Sequence, residues 1–284
     1  MSCLTRVGLT AHLTNMFLVN FAVRADVLRQ HVPPVFALET KDGYGFMSAV
    51  IARVEAMRPR GAPKLLGRDF DSVVYRVPVR YRSNNGRTVR GFYFPRSDAS
   101  DWLLSLGGFW QRLFKTCWSH VAMMQRHGET RFTVVPSDFS NARIAARFVR
   151  SRRHSRLPES SCFATIQQAD EFLIARPIAL HYDSRRREVA IVLVRRAHWN
   201  ARVASVQQAE FDYVRALAGR DPQAVRFDSV LYVQRVPYVW HPPIFENRPD
   251  IRESLPEDHS PTAEMLGVVR KLRTGGSLTQ RSGQ

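Results

Sequence analysis

Apolar and polar residues alternate along most of this chain, and a period of two predicts strands, whose side chains point to opposite faces in turn. The strongest runs are Leu9–Val23, Tyr44–Val54, Ser72–Tyr81, Val89–Phe94, Ile144–Val149, Val189–Arg195 and Ser229–Val236. In the third, Val73, Tyr75, Val77 and Val79 alternate with Ser72, Val74, Arg76 and Arg80; the turn Ser83-Asn84-Asn85-Gly86 follows and Val89–Phe94 returns, a β-hairpin pattern. The stretch Val7–Val23 carries no Asp, Glu, Lys or Arg. It is short for a membrane span, and Thr10, His12, Thr14, Asn15 and Asn20 make it too polar for one. Without a charged opening or a small-residue cleavage site it does not read as a secretory signal either, so a long buried strand is expected.

Helical spacing is rarer. Ala25–His31 is a short candidate, opened near Asp26 and stopped before Pro33-Pro34. Asp98–Phe114 is a longer one, with Asp98 or Ser100 as N-cap and Trp102, Leu103, Leu106, Trp110 and Leu113 on one face, weakened by Gly107 and Gly108. Thr165–Ala175 has Thr165 as cap, Gln168 at the capping-box position and Pro177 beyond its end. A fourth, Thr262–Leu272, precedes a polar Thr274–Gln284 that is expected to be disordered. Parallel doubly wound sheets need a crossover helix after nearly every strand, and these are missing. The expected class is therefore α+β, a mainly antiparallel, strongly curved or closed β-barrel with a few flanking helices. Residues 1–250 are expected to form one domain, and 251–284 a polar C-terminal extension.

Composition narrows the chemistry. The 284 residues carry a formal charge of +17, yet all 42 basic residues except Lys41, Lys64, Lys115 and Lys271 are arginine. Phosphate neutralisation is served by either residue, so this skew points away from a selected polyanion face. The dense run Arg143–Arg156 has no aromatic ladder beside it, and no specific nucleic-acid or membrane partner is expected. Three cysteines, Cys3, Cys117 and Cys162, support neither a disulfide framework nor a zinc site, and a reducing, cytoplasmic setting is the expectation. Neither a dinucleotide or phosphate-binding glycine loop nor a G-x-S-x-G elbow occurs, and Asp42-Gly43-Tyr44-Gly45 reads as a turn. The nine histidines are scattered, so no metal and no cofactor is called for; His198-Trp199 and Trp240-His241-Pro242-Pro243 suit packing or a pocket wall.

Candidate chemistry gathers at the end of the hairpin, in Pro95-Arg96-Ser97-Asp98-Ala99-Ser100. Arg96 and Asp98 either hold a carboxylate through an oriented fork or form a plain ion pair with a helix cap. Arg76 interrupts an apolar strand, and on an interior face it would require an anionic partner or ligand. Lys115 stands among Leu113, Phe114, Cys117 and Trp118, where desolvation would favour the neutral amine that a Schiff-base nucleophile needs. Ser100, Trp118 and His120 complete the candidate ligand-binding set.

Several segments together resemble a bacterial family, the YqjF-like proteins, grouped with the acetoacetate decarboxylase-like fold. They are Phe17-Leu18-Val19-Asn20-Phe21, Val27-Leu28, Val32-Pro33-Pro34, Asp42-Gly43-Tyr44 and Arg58-Pro59-Arg60-Gly61-Ala62-Pro63, followed by Tyr75-Arg76-Val77-Pro78-Val79 and Gly91 through Ser100. Ser161-Cys162-Phe163-Ala164-Thr165, Phe227-Asp228-Ser229-Val230-Leu231 and Val236 through His241 continue the match. The resemblance implies an antiparallel barrel with an interior cavity. Acetoacetate decarboxylases, more distant relatives, place a glycine eight residues before the first of two adjacent lysines, which forms the Schiff base. Gly107 and Lys115 have that spacing, whereas Thr116 replaces the second lysine and Ser72 stands roughly where those enzymes have an active-site glutamate. The expectation is a cavity for a small anionic or carbonyl-bearing ligand, in a lysine-dependent lyase or in a non-catalytic binding module, with a polyanion-binding surface as a weaker third reading; the oligomeric state stays open.

Overall fold

The computed structural model describes residues 7–106, 116–150, 156–196 and 201–249. The strands are β1 (Leu9–Arg24), β2 (Phe36–Leu38), β3 (Thr40–Lys41), β4 (Tyr44–Pro59), β5 (Arg68–Arg82), β6 (Thr88–Ala99), β7 (Thr116–Arg126) and β8 (Glu129–Pro136). They continue with β9 (Ile144–Val149), β10 (Ile178–Asp183), β11 (Glu188–Arg196), β12 (Arg202–Val203), β13 (Ser205–Phe211), β14 (Val225–Trp240) and β15 (Ile244–Asn247). Short helices cover Ala25–Arg29, Trp102–Leu106, Ile166–Leu173 and Asp212–Leu217.

Strand pairing runs β6-β10-β11-β14-β1-β4-β5, and β5 pairs again with β6, so this path returns on itself as a ring. The pairs are antiparallel except where β6 meets β10 and β7. From β6 the sheet also continues outward through β7, β8, β9 and β13. This curved, strand-dominated α+β architecture is the one the alternation predicted.

Both faces of the ring are packed, and the side chains divide by strand parity, which in β1 changes at the irregularity between Thr14 and Phe17. On one face Phe17, Val19 and Phe21 of β1 join Val73, Tyr75 and Val77 of β5, Tyr93, Phe132 and Phe148. On the other, Leu13 and Leu18 join Val54, Phe70, Leu173, Val192 and Trp240. Double-sided burial explains why Val7–Val23 lacks charge: like a strand in a covered sheet, β1 reads as a nearly continuous apolar run.

The expected strands are present, most of them longer than the pattern showed. The hairpin β5–β6 turns at Gly86, whose φ of 79° suits glycine. The expected helix Asp98–Phe114 is corrected. Asp98 is held in β6 opposite Val73, and β7 pairs alongside at Ser97–Thr116, so tertiary pairing overrides local helical spacing. The helix that forms starts after Asp101, whose carboxylate accepts the backbone N–H of Leu103 at 3.0 Å, so Asp101, not Asp98 or Ser100, caps it. Its expected continuation, the helix Thr262–Leu272 and the C-terminal end lie outside the described residues. Thr165 does cap its helix, accepting from the Gln168 N–H at 3.2 Å. No helix among the described residues is long and apolar enough to cross a membrane.

Candidate functional site

Strand alternation places Phe70, Ser72, Val74 and Arg76 of β5 on the second face of the ring, and they line a cavity of about 110 Å³. Phe92, Phe94, Ser97 and Ala99 of β6 stand beside them. Leu13 of β1, Val50, Val54 and Met57 of β4, Val194 and Arg196 of β11, and Tyr238 and Trp240 of β14 complete the wall with Arg176, Pro177, Ile178, Ala179 and Thr116. The surface is predominantly apolar, with a few polar groups, the usual make-up of a small-molecule pocket.

Three of those polar groups are arginines drawn to one helix end. The last carbonyls of a helix have no partner within it and carry partial negative charge. Here Arg76 donates from Nη2 to the Leu173 carbonyl at 2.6 Å, Arg176 from Nε to the Phe172 carbonyl at 3.0 Å, and Arg196 to the Ile174 carbonyl. Arg176 also pairs with Glu39, which in turn holds Arg90 at 2.8 Å.

Arg76 has the least compensation. It is only 6% exposed, its guanidinium lies over the Phe92 ring at 4.2 Å, and its Nε has no hydrogen-bond partner among the described residues. Asp170 favours its charge from a distance, while Arg196 and Arg176 oppose it. Burial, the largest influence, pushes the guanidinium down to about 9.

The remaining candidates fall elsewhere. Asp98 borders the cavity, but alternation turns its carboxylate with Val73 and Tyr75 to the opposite face. There it is fully buried, bound by Arg96 at 2.7 and 2.8 Å and by the Ser119 hydroxyl at 2.8 Å. Arg96 also binds Asp138 at 3.1 Å, so its planar fork is occupied by two carboxylates. Burial opposes and these carboxylates favour its charge; the favourable contacts prevail and raise its pKa. Of the two sequence readings of this pair, the contacts are those of the ion pair, without the helix cap. Ser100 is exposed and accepts the Asp71 N–H at 3.1 Å, tying β5 to the end of β6 rather than facing the cavity. Trp118 and His120 pack together at 5.2 Å on the exposed side of β7, away from the cavity lining. Lys115, with Gly107, lies outside the described residues.

Both departures from the decarboxylase pattern, Ser72 and Thr116, do border the cavity. Thr116 shares a 2.9 Å hydrogen bond with Ser97 in its wall. Sequence reasoning missed Arg176 and Arg196. The signal for Arg196 was present, because Val192 and Val194 lead to it with the same parity that singled out Arg76. Arg176 could be found only from the helix end it closes.

A profile of the DUF2071 family, described as an uncharacterized conserved protein, matches residues 10–237. No curated protein sequence matches the chain. Among solved structures, an acetoacetate decarboxylase from Legionella pneumophila is similar with a TM-score of 0.54 at 12% identity, over 83% of this chain and 86% of that one. An acetoacetate decarboxylase-like enzyme from Sphingomonas wittichii RW1 gives 0.55 at 10% identity, over 84% and 93%. The enduracididine biosynthesis enzyme MppR, complexed with pyruvate, gives 0.54 at 12% identity, over 86% and 92%. At such identities these likenesses establish the fold.

Proposed function

The chain belongs to the DUF2071 family, and we propose that its cavity binds a small carboxylate-bearing molecule, with Arg76 as the anchor. The observation that carries this reading is a guanidinium buried in a cavity wall without a carboxylate at ion-pair distance among the described residues. A buried cation held by one carbonyl and an aromatic face is incompletely compensated, and an incoming carboxylate would supply a charge-assisted, two-point partner. Arg176 and Arg196 add positive potential at the same helix end, while Glu39 limits it. A similar fold in MppR is complexed with pyruvate, a compact keto acid, which agrees with this ligand class.

Isothermal titration with acetoacetate and pyruvate tests the reading. Binding to the wild type should weaken at least tenfold in Arg76→Met, and substantially in Arg76→Lys, which keeps a charge but loses the planar fork. Equal affinity in all three proteins overturns it.

The lyase reading adds chemistry to the same ligand. It is favoured by the position of Thr116, the neighbour of Lys115, in the cavity wall. Lys115 would be the nucleophile, attacking a ligand carbonyl while Arg76 holds the carboxylate. Borohydride treatment with acetoacetate followed by mass mapping decides between them: an adduct at Lys115, absent from Lys115→Arg, supports the enzyme, and titratable binding without an adduct supports the non-catalytic module. The narrower YqjF-like assignment and a cytoplasmic location belong with these proposals.

A further inference from the structure

The cavity has two chemically different ends. On β5 the four lining residues Phe70, Ser72, Val74 and Arg76 follow one another along a single face. The first and the last are six steps apart along the strand, about 20 Å of backbone at the usual rise. At the Arg76 end stand Arg176 and Arg196, gathered at the carbonyl end of Ile166–Leu173. At the Phe70 end the register brings Val54 opposite Phe70 and Leu13 opposite Val54, with Met57 beyond. These contribute only apolar side chains. Between the ends, Ser97 lies opposite Val74 and shares its hydrogen bond with Thr116.

We infer that the cavity selects an amphiphilic acid, a carboxylate head with a short unbranched apolar tail, over a compact keto acid. The inference rests on the anchoring role given to Arg76 and specifies what lies behind the anchor. A molecule the size of pyruvate would satisfy the cationic end and leave the Phe70 end only partly filled, with room there for a short tail. A tail laid along β5 would instead exchange water for Val54, Met57 and Phe70, and every methylene added would strengthen binding until the apolar end is reached. The Ser97–Thr116 pair stands where an oxygen substituent near the head could exchange hydrogen bonds, so an oxo or hydroxy group close to the carboxylate is compatible with the same pose.

Calorimetry on the full chain at neutral pH, with straight-chain carboxylates from propionate to decanoate and with 1-octanol as an uncharged control, tests this. Affinity should rise roughly three- to four-fold per methylene through the middle of the series and then level off. Val54→Phe, whose fold is checked by circular dichroism, should move the plateau to shorter chains. Arg76→Met should weaken every member of the series by a similar factor. Affinity independent of chain length, with Arg76→Met still damaging, overturns the tail and leaves the anchor standing. No binding of any carboxylate overturns both. Octanol binding as tightly as octanoate also overturns the selection of an acid.

Discussion

As the proposed anchor, Arg76 would concentrate the conflict between stability and binding in one side chain. Burial lowers its folded pKa to about 9, so the folded state disfavours the charge that the unfolded chain carries freely. By the sign of that shift, the charged group opposes folding at neutral pH and ceases to do so only as pH rises above its folded pKa. Replacing buried ion pairs with well-packed apolar residues of similar volume is often neutral or stabilising by about 1–4 kcal/mol, and a lone buried ion with less compensation has more to gain. Arg76→Met should therefore raise the thermal midpoint by about 2–4 °C while weakening carboxylate binding at least tenfold. Differential scanning fluorimetry checks it, and a fall of several degrees would show that the Leu173 and Phe92 contacts outweigh the burial of charge. At this scale the sequence was informative where a single strand sufficed: Arg76 interrupts one apolar stripe, and its alternation was readable. Arg96 and Asp98 were not resolved in the same way. Which face they occupy depends on the register of β6 against β5, which shifts between Tyr75 and Val77. Nor could local sequence reveal Asp138, 42 positions from Arg96 in the chain, which takes part of that arginine's fork.

Among the elements, the seam between β6 and β10 matters most for the site, because it closes the ring beside the cavity. It is a short parallel contact, Ala179 opposite Phe92 and Leu180 opposite Tyr93. Gly91 makes the close approach: a Cβ there would stand 2.8 Å from the Ile178 carbonyl oxygen, which is backbone and cannot swing aside. Gly91→Ala should cost about 1–3 kcal/mol in urea unfolding and weaken ligand binding, since Phe92, Ile178 and Ala179 all line the cavity. Unchanged stability would mean that the two strands separate more easily than their register implies. A second element-level effect joins strand and helix through Glu39, just after β2. Burial works against its ionised form, but bonds from Arg90 and Arg176 prevail, and its folded pKa lies below the ordinary carboxylate value. A depressed acid contributes stability that is present above its unfolded pKa and lost as pH falls through the folded one. Glu39→Gln should therefore lower stability at pH 7 and lose that difference as acid unfolding is approached; a difference constant with pH would argue against the ionic account. Legibility among the elements followed burial. β1, β5 and β14 carry strong apolar patterns, whereas β13, Ser205–Phe211, is mostly exposed and has no stripe to read. β8 was readable and missed, with Thr130, Phe132 and Val134 inward and a turn at His127-Gly128 in the left-handed region before it.

For the whole molecule, many strands and few crossovers sufficed for the curved α+β class, because that conclusion depends on the number and type of elements and tolerates errors at their ends. Ring closure itself did not follow from the pattern, since the pairings of β6 with β10 and of β1 with β14 join segments far apart in sequence. Charge is the other property at this scale. A surplus of +17 would serve a polyanion only if it were presented on one face. Several arginines on separate elements are drawn to carboxylates: Arg24 to Asp26 and Asp221, Arg131 and Arg147 to Glu129, Arg90 to Glu39, and Arg53 to Asp71. Arg147, in the densest basic run of the sequence, is among those paired. Exposed pairs of this kind add little stability, yet each places a negative charge beside a positive one and weakens the local field. Counterion release from many phosphate contacts would still give some attraction at low salt, falling steeply as salt rises. Fluorescence anisotropy with labelled duplex and single-stranded DNA should therefore show binding at about 20 mM salt that is lost near physiological ionic strength, about 150 mM, where screening acts within about 8 Å. Submicromolar affinity retained there would locate a continuous basic face that these ion pairs fail to neutralise, and would move the molecule's function from its cavity to its surface.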